Sequence, residues 1–166
     1  MNALNTSSPL VLATIGLGAN LGDAQQHVKD AIAKIAQLPS STLIKQSALF
    51  CSAPIDASGD DFINAVIQIR TQLSAEQLLI ALQQIEHHFG RERPYINAPR
   101  TLDLDILLFG DVQISNDTLQ IPHPRMTTRA FVIMPLLQID PNITIPGYGS
   151  IKQFVPHVMH QTIHQV

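Results

Sequence analysis

The sequence has no tryptophan and a single cysteine, Cys51. One cysteine allows no internal disulfide and fits a reducing compartment. Charge is scarce: charged residues make up 14% of the 166 residues, against a usual share of about 25%. The formal net charge is −3, from 10 basic and 13 acidic residues, so no global basic field exists and a sequence-independent nucleic-acid binder is excluded. No apolar run approaches the ~18 residues of a membrane span. Met1 to Pro9 carries no Lys or Arg, and the apolar stretch Leu10–Leu17 runs into Gly18 without a small-residue cleavage pattern. It reads as a strand rather than a signal peptide. A soluble, cytoplasmic protein is the expectation. Hydrophobic residues at 45% argue against disorder, and a chain of this length can bury roughly 68–70% of its unfolded surface as one domain, 1–166, without metal or disulfide staples.

There is no internal repeat, low-complexity block or linker. Val11–Leu17 is a branched, apolar strand. Asp23 caps a helix in which Val28, Ala31, Ile32, Ile35 and Leu38 recur at helical spacing before Pro39. Leu43–Phe50 reads as a second strand, and Cys51–Asp61 as a loop punctuated by Pro54 and Gly59. Phe62–Arg70 alternates, with Ile63, Ala65, Ile67 and Ile69 on one face and Asn64, Val66, Gln68 and Arg70 on the other. Ser74 with Gln77 fits a capping box for a helix striped by Leu78, Leu82, Ile85 and Phe89, with Gly90 past its end. Thr101–Phe109 is a fourth strand, with Leu102, Leu104, Ile106 and Leu108 on one face. The order strand, helix, strand, strand, helix, strand predicts an α+β, ferredoxin-like βαββαβ core. That core is an antiparallel sheet with helices packed on one face. The C-terminal extension adds a short strand near Val112–Ile114, helical turns over Thr127–Gln138 and a helix from about Ser150.

The most informative element is Thr101-Leu102-Asp103-Leu104-Asp105-Ile106-Leu107-Leu108. Alternation puts Asp103 and Asp105 on one face, with Cα atoms ~6.6 Å apart. Two carboxylates on an apolar strand raise each other's pKa unless a cation sits between them. Oxygen ligands suit Mg²⁺, which takes one or two carboxylates and completes its shell with water and substrate phosphate. The competing reading is a solvent-facing side of the strand that merely alternates.

Five of the six arginines, Arg91, Arg93, Arg100, Arg125 and Arg129, fall between positions 91 and 129, with no lysine among them. Arginine binds phosphate bidentately and stays charged, so an arginine group opposite paired carboxylates is what a metal–triphosphate requires. Surface salt bridging to Glu92, Asp111 and Asp117 is the alternative, and for Arg125 alone it is the preferred one. His123 sits in a turn between two prolines, where it donates to phosphate or bonds a turn carbonyl. His157, His160 and His164 share a side of the expected last helix without a supporting carboxylate or cysteine, and read as a solvated tail. His87 and His88 read as helix surface. Gly16-Leu17-Gly18-Ala19-Asn20-Leu21-Gly22 has its third glycine one position late for a dinucleotide fingerprint, and no Gly-Lys-Ser/Thr follows to make a P-loop.

These residues resemble the 6-hydroxymethyl-7,8-dihydropterin pyrophosphokinase family along nearly the whole chain. The resemblance runs through Gly16–Gly22, Phe62-Ile63-Asn64-Ala65-Val66 and Gly90-Arg91-Glu92-Arg93. Its most specific block is Ala98–Gly110, followed by Ile121-Pro122-His123-Pro124-Arg125, Arg129-Ala130-Phe131 and Pro135-Leu136. The resemblance implies transfer of the diphosphoryl group of ATP to the pterin's hydroxymethyl oxygen, with release of AMP, in folate biosynthesis. It implies two Mg²⁺ ions on Asp103 and Asp105, and phosphate-binding or catalytic roles for Arg91, Arg93, Arg100 and Arg129. It further implies ATP contacts at Ile106 and His123, and a pterin site made by Ser52, Ala53, Pro54, Ile55, Phe62, Asn64 and Phe131. Pro94 and Asn97 stand where some relatives carry a lysine and a tryptophan, which implies altered lid closure. The implied partners are ATP and the pterin, with no nucleic acid and no membrane. With no long exposed apolar helix stripe, a monomer is expected. A metal-dependent nucleotide phosphoesterase and a non-catalytic pterin- or nucleotide-binding domain are the alternatives.

Overall fold

The computed structural model describes residues 8–55, 59–90 and 101–166. The first strand, β1 (Val11–Ala19), lies between β4 (Phe62–Thr71) and β5 (Asp103–Phe109), antiparallel to both. Helix α1 (Ala24–Ala36) follows β1. Its N-cap Asp23 accepts a bond from Gln26 N at 3.1 Å, as the sequence predicts. Helix α2 (Ala75–His88) follows β4 and opens on the expected capping box. Ser74 Oγ accepts from Gln77 N at 3.1 Å, and Gln77 Oε1 accepts from Ser74 N at 2.9 Å. At its end Gly90 takes φ +78°, the left-handed conformation that suits a residue just past a helix. These elements make the ferredoxin-like order.

The second strand of that order is broken in two. β2 (Ser41–Gln46) runs beside residues 67–71 of β4, and β3 (Phe50–Ser52) beside residues 62–64. Between them Ser47 substitutes its side chain for a ladder partner. Val66 N donates to Ser47 Oγ at 3.0 Å, while Ser47 N donates to Val66 O at 2.9 Å. A single strand over Leu43–Phe50 is therefore corrected to two strands joined by a hydroxyl-bridged break.

Two apolar layers sandwich the sheet. Ile63, Ala65, Ile67 and Ile69 of β4 pack with α1 and α2, as the alternation predicts. The opposite face is also covered. Val66 packs under α3 (Ala130–Ile139), together with Met126, Ile145, Ile151 and Val158. The expectation of helices on one face only is corrected. The apolar sequence of α3, AFVIMPLLQI, needs a surface to bury, and the sheet's second face supplies it. Gln68, on the same face as Asn64 and Val66, is buried there, and its amide donates to Asp140 Oδ2 at 2.9 Å.

A register shift in the β1–β5 pairing falls between Thr14 and Ile15, which face Leu108 and Ile106 and leave Leu107 as the extra residue. Leu107 and Leu108 consequently both join the α3 layer, and Phe109 returns to the first layer. Leu108 is thus not on the face of Leu102, Leu104 and Ile106.

The C-terminal extension also differs from expectation. The short strand is β6 (Ile114–Ser115), paired with β7 (Gln120–Ile121), and a second two-stranded ladder joins β8 (Thr144–Ile145) to β9 (Gly149–Ser150). After a 3-10 turn (Ile151–Phe154), α4 spans only Val155–Val158. The chain then extends as β10 (Ile163–Gln165) and pairs with β3 at the sheet edge. His157, His160 and His164 are exposed, as a solvated tail requires, but they do not share a helix face, because His164 lies in β10. His87 and His88 are exposed on α2. Among the described residues no helix is long and apolar enough to cross a membrane.

Candidate active site

The face of the sheet under α3 is left open at one end, where a cleft of about 660 Å³ forms. That is the size of a small-molecule site. Its floor is β4, β1 and the edge strand β5. The pairing places Gly18 of β1 between Asn64 of β4 and Asp103 of β5, and Gly16 between Val66 and Asp105. Asp103, Asp105 and Asn64 line the same cleft, so the carboxylate pair and the amide share one side of the sheet. Both glycines lie inside β1, and only Gly22 of the Gly16–Gly22 motif takes a positive φ, +60°. Their role is space. A Cβ on Gly18 would stand 3.0 Å from Asn64 Nδ2, and one on Gly16 would stand 3.3 Å from a methyl of Leu107.

Asn64 is 4% exposed, and Ser52 Oγ donates to its Oδ1 at 2.6 Å. That bond fixes the amide plane, because both groups are buried and neither partner rotates without losing it. The amide nitrogen is thereby turned toward the side-chain-free backbone of Gly18. Ser52, Ala53 and Ile55 line the cleft from β3 and the following loop, whereas Pro54 of the same stretch does not. Phe62 enters from the start of β4 and Phe131 from the first turn of α3.

Arg129 is the N-cap residue of α3 and lines the cleft opposite the aspartates. Its guanidinium carbon lies over the Phe131 ring, 5.3 Å from the centroid. Burial pulls its pKa below the usual arginine value. Asp105 and Asp103 pull the other way, and Arg125 adds to the lowering. The guanidinium and both carboxylates thus share one cleft and attract each other. Arg125, read from sequence as a surface ion-pairing residue, also lines the cleft. It is exposed, as the surface reading requires, and it borders the cleft from that surface. Thr128, Val132 and Gln161 complete that wall and carried no sequence signal of their own.

A second recess abuts the first and shares Asp105 with it. Leu79, Leu104, Ile106, Leu119, His123 and Pro124 help line it. His123 follows the cis peptide Ile121–Pro122 and is held from two sides. Its own N donates to Leu107 O at 2.9 Å, and its Nδ1 accepts from Arg125 N at 3.1 Å. The ring thus bonds a turn N–H, not a turn carbonyl. Burial lowers its pKa, helped by Arg129 and Arg125 and opposed by Asp103, so the ring is neutral near pH 7 and Nε2 carries the remaining proton.

Glu86 of α2 is buried and accepts from Leu104 N at 2.8 Å, which ties the start of β5 to the helix behind it. Arg91, Arg93 and Arg100 lie outside the described residues. Among the described residues, no group of three or more His, Cys, Asp or Glu side chains is arranged to hold a metal ion. The donor set at the cleft is the two aspartates. That fits a magnesium ion, which needs only one or two carboxylates when phosphate oxygens and water supply the rest. Cys51 is on the adjoining β3, where burial and the neighbouring Asp61 raise its thiol pKa, so it is no nucleophile for this site.

A sequence model of the 7,8-dihydro-6-hydroxymethylpterin-pyrophosphokinase family matches residues 14–141. The 2-amino-4-hydroxy-6-hydroxymethyldihydropteridine pyrophosphokinase of Haemophilus influenzae is 40% identical over 155 residues, covering 90% of this chain and 97% of that protein. The Bacillus subtilis protein of the same description is 40% identical over 129 residues, 77% of each chain. Among solved structures, the wild-type Plasmodium falciparum HPPK-DHPS chain with SDX-DHP superposes with a TM-score of 0.73 at 12% identity, over 92% of this chain. This chain spans 45% of the length of that one, and the likeness is one of fold.

Proposed function

The chain belongs to the 7,8-dihydro-6-hydroxymethylpterin-pyrophosphokinase family, and from that premise we propose that it transfers the diphosphoryl group of ATP to the hydroxymethyl oxygen of 6-hydroxymethyl-7,8-dihydropterin and releases AMP, a step of folate biosynthesis. The pterin oxygen forms a bond to the β-phosphorus, the bond from that phosphorus to the α,β-bridging oxygen breaks, and the hydroxyl proton leaves to solvent.

The observation that carries this reading is the continuity of the two recesses through Asp105. One recess joins apolar side chains, polar ones at Asn116, Thr118 and Gln120, and the neutral histidine, a mixture that suits a nucleobase and its sugar. The other has a buried amide, a buried hydroxyl and two aromatic rings that suit a flat heterocycle. A chain of phosphates running from the first to the second passes the aspartates on one side and Arg129 on the other. Phosphoryl transfer asks mainly for such positioning and charge stabilisation.

The roles follow. Asn64, held by Ser52, presents its amide to the edge of the pterin. Phe131 and Phe62 sandwich the ring. Ala53 and Ile55, on either side of Pro54, cover its far edge. Arg129 grips phosphate oxygens bidentately, and Arg91, Arg93 and Arg100 add to that grip. Ile106 supports the adenine, and His123 donates from Nε2 to the nucleotide. Asp103 and Asp105 would hold two Mg²⁺ ions, which when bound neutralise phosphate charge and polarise the reacting phosphorus. The same reading takes residues 1–166 as a single domain acting as a cytoplasmic monomer.

Hydrolysis of a nucleotide has no use for a fixed amide and an aromatic slot beside the phosphates. Two cosubstrates separate the readings: the pterin alcohol, and its 6-methyl analogue, which lacks the accepting hydroxyl. With ATP and Mg²⁺, AMP should form only with the alcohol. AMP or phosphate released at the same rate with the methyl analogue would mark a phosphoesterase, and binding of both pterins without AMP would mark a non-catalytic module.

A further inference from the structure

Helix α3 brings Arg129 and Phe131 to the cleft, yet it starts without a cap of its own. Arg129 occupies the N-cap position in an extended conformation, φ −119° and ψ 115°, and its side chain makes no capping bond. Thr128 O and Ala130 N are the backbone groups on either side of Arg129. One side chain satisfies both. Gln161 Oε1 accepts from Ala130 N at 2.8 Å, and Gln161 Nε2 donates to Thr128 O at 2.7 Å. The residue is 31 positions away from Ala130 in sequence and only half-exposed, and it lines the cleft.

The segment that carries Gln161 is itself tied to the opposite wall. Gln161 N donates to Val158 O at 3.0 Å, Ala53 N donates to Thr162 O at 3.3 Å, and β10 pairs Ile163 with Ser52 and Gln165 with Phe50. A further chain runs Gln165 Oε1 to Gln138 Nε2 at 3.2 Å, and Gln138 Oε1 to Ala48 N at 2.6 Å. Two walls that face each other across the cleft, Arg129–Phe131 on α3 and Ser52–Ala53 at β3, are therefore linked through residues 161–165.

We propose that Gln161 is a positioning residue that sets the spacing between the Phe131 ring and the Ser52–Asn64 pair, and with it the affinity for the flat heterocycle. The inference rests on the reading of the cleft as a pterin site. Both polar atoms of the Gln161 amide are engaged by backbone, so it acts through the helix and not on the ligand directly. Losing the amide releases Thr128 O and Ala130 N to water and lets the first turn of α3 relax away from β3. The ring slot widens while the buried layers under α3 stay as they are.

The test uses Gln161→Met, which keeps length and volume without hydrogen bonds, and Gln161→Asn, whose shorter amide does not span both backbone groups. The dihydropterin alcohol is titrated by its own fluorescence into wild type and both variants, well below their melting temperatures. Each variant should bind it about fivefold more weakly, the change that one net hydrogen bond's worth of free energy produces. Variants that bind within twofold of wild type overturn the proposal. So does a fall in melting temperature with unchanged pterin affinity, which is the mark of a merely structural glutamine. A wild type that binds no pterin overturns the reading of the cleft itself, a distinct result from equal binding by all three proteins.

Discussion

Gly18→Ala places one methyl group at the centre of the cleft floor. The new Cβ would lie 3.0 Å from Asn64 Nδ2 and 4.0 Å from Ile63 O. The first distance is several tenths of an ångström too short, so the amide must move. Retreat is blocked, because Asn64 is 4% exposed and its Oδ1 is already 2.6 Å from Ser52 Oγ. Overpacking of this kind costs about 1–3 kcal/mol. Replacing a strand glycine recovers about 0.4–1 kcal/mol through the unfolded chain. The net loss is about 0–2.5 kcal/mol, and at roughly 2–4 °C per kcal/mol for this chain length the melting temperature falls by at most about 10 °C. Binding suffers differently, since the displaced amide no longer meets the heterocycle's edge, and an unmet polar edge costs about 1–3 kcal/mol, on the order of ten- to a hundredfold in affinity. The assay is a fluorescence titration with the dihydropterin alcohol beside a thermal melt. Gly16→Ala is the comparator: its Cβ would meet the buried Leu107 side chain at 3.3 Å, a packing contact that leaves the Asn64 amide in place. A Gly18→Ala protein that binds pterin as wild type does, or a Gly16→Ala protein that loses as much, refutes the reasoning.

Asp103→Ala and Asp105→Ala should each lower AMP formation at saturating substrates by at least about a hundredfold, because each removes a ligand for the charge-neutralising metal; unchanged secondary structure by circular dichroism checks the fold, and full turnover in either variant removes the assignment. Ser74→Ala deletes the capping-box hydroxyl of α2 and should cost about 1 kcal/mol, read by urea denaturation, with pterin affinity unaltered. His123 contributes a pH dependence. Its folded pKa lies below the ordinary value of 6.5, so the folded state binds fewer protons than the unfolded chain just below that pH. The stability it contributes is complete above about pH 6.5 and declines as the pH falls from there through the folded value. The metal-free wild type should therefore lose more melting temperature between pH 7 and pH 5 than His123→Asn; equal losses contradict the assignment of a neutral, backbone-bonded ring.

Local signals carried most of the core into view. Asp23, the Ser74–Gln77 box and the alternation of β4 act over a few residues, and the structure keeps them all. The aspartate pair was legible because alternation alone puts both side chains on one face. What stayed hidden depended on contacts distant in sequence. The break at Ser47 needs Val66 as its partner, and the slip at Leu107–Leu108 needs the pairing with β1. The glycines of β1 show their purpose only when β4 and β5 flank them, because the cleft requires a bare backbone there. Arg125 is surface in both readings, and only the packing of α3 shows that its surface borders the cleft. The last residues scan as helix, but α4 ends at Val158 and the unpaired edge of β3 captures the tail as β10, which is how Gln161 reaches the cleft.

The central claim is that one cleft joins ATP to a pterin alcohol by moving two phosphoryl groups together. Phosphorus NMR of a completed reaction, with mass analysis of the pterin, tests it most directly. The account predicts AMP and a pterin bearing a diphosphate in equal amounts, with neither ADP nor inorganic phosphate formed. ADP beside a singly phosphorylated pterin, or phosphate beside an unchanged pterin, would contradict it.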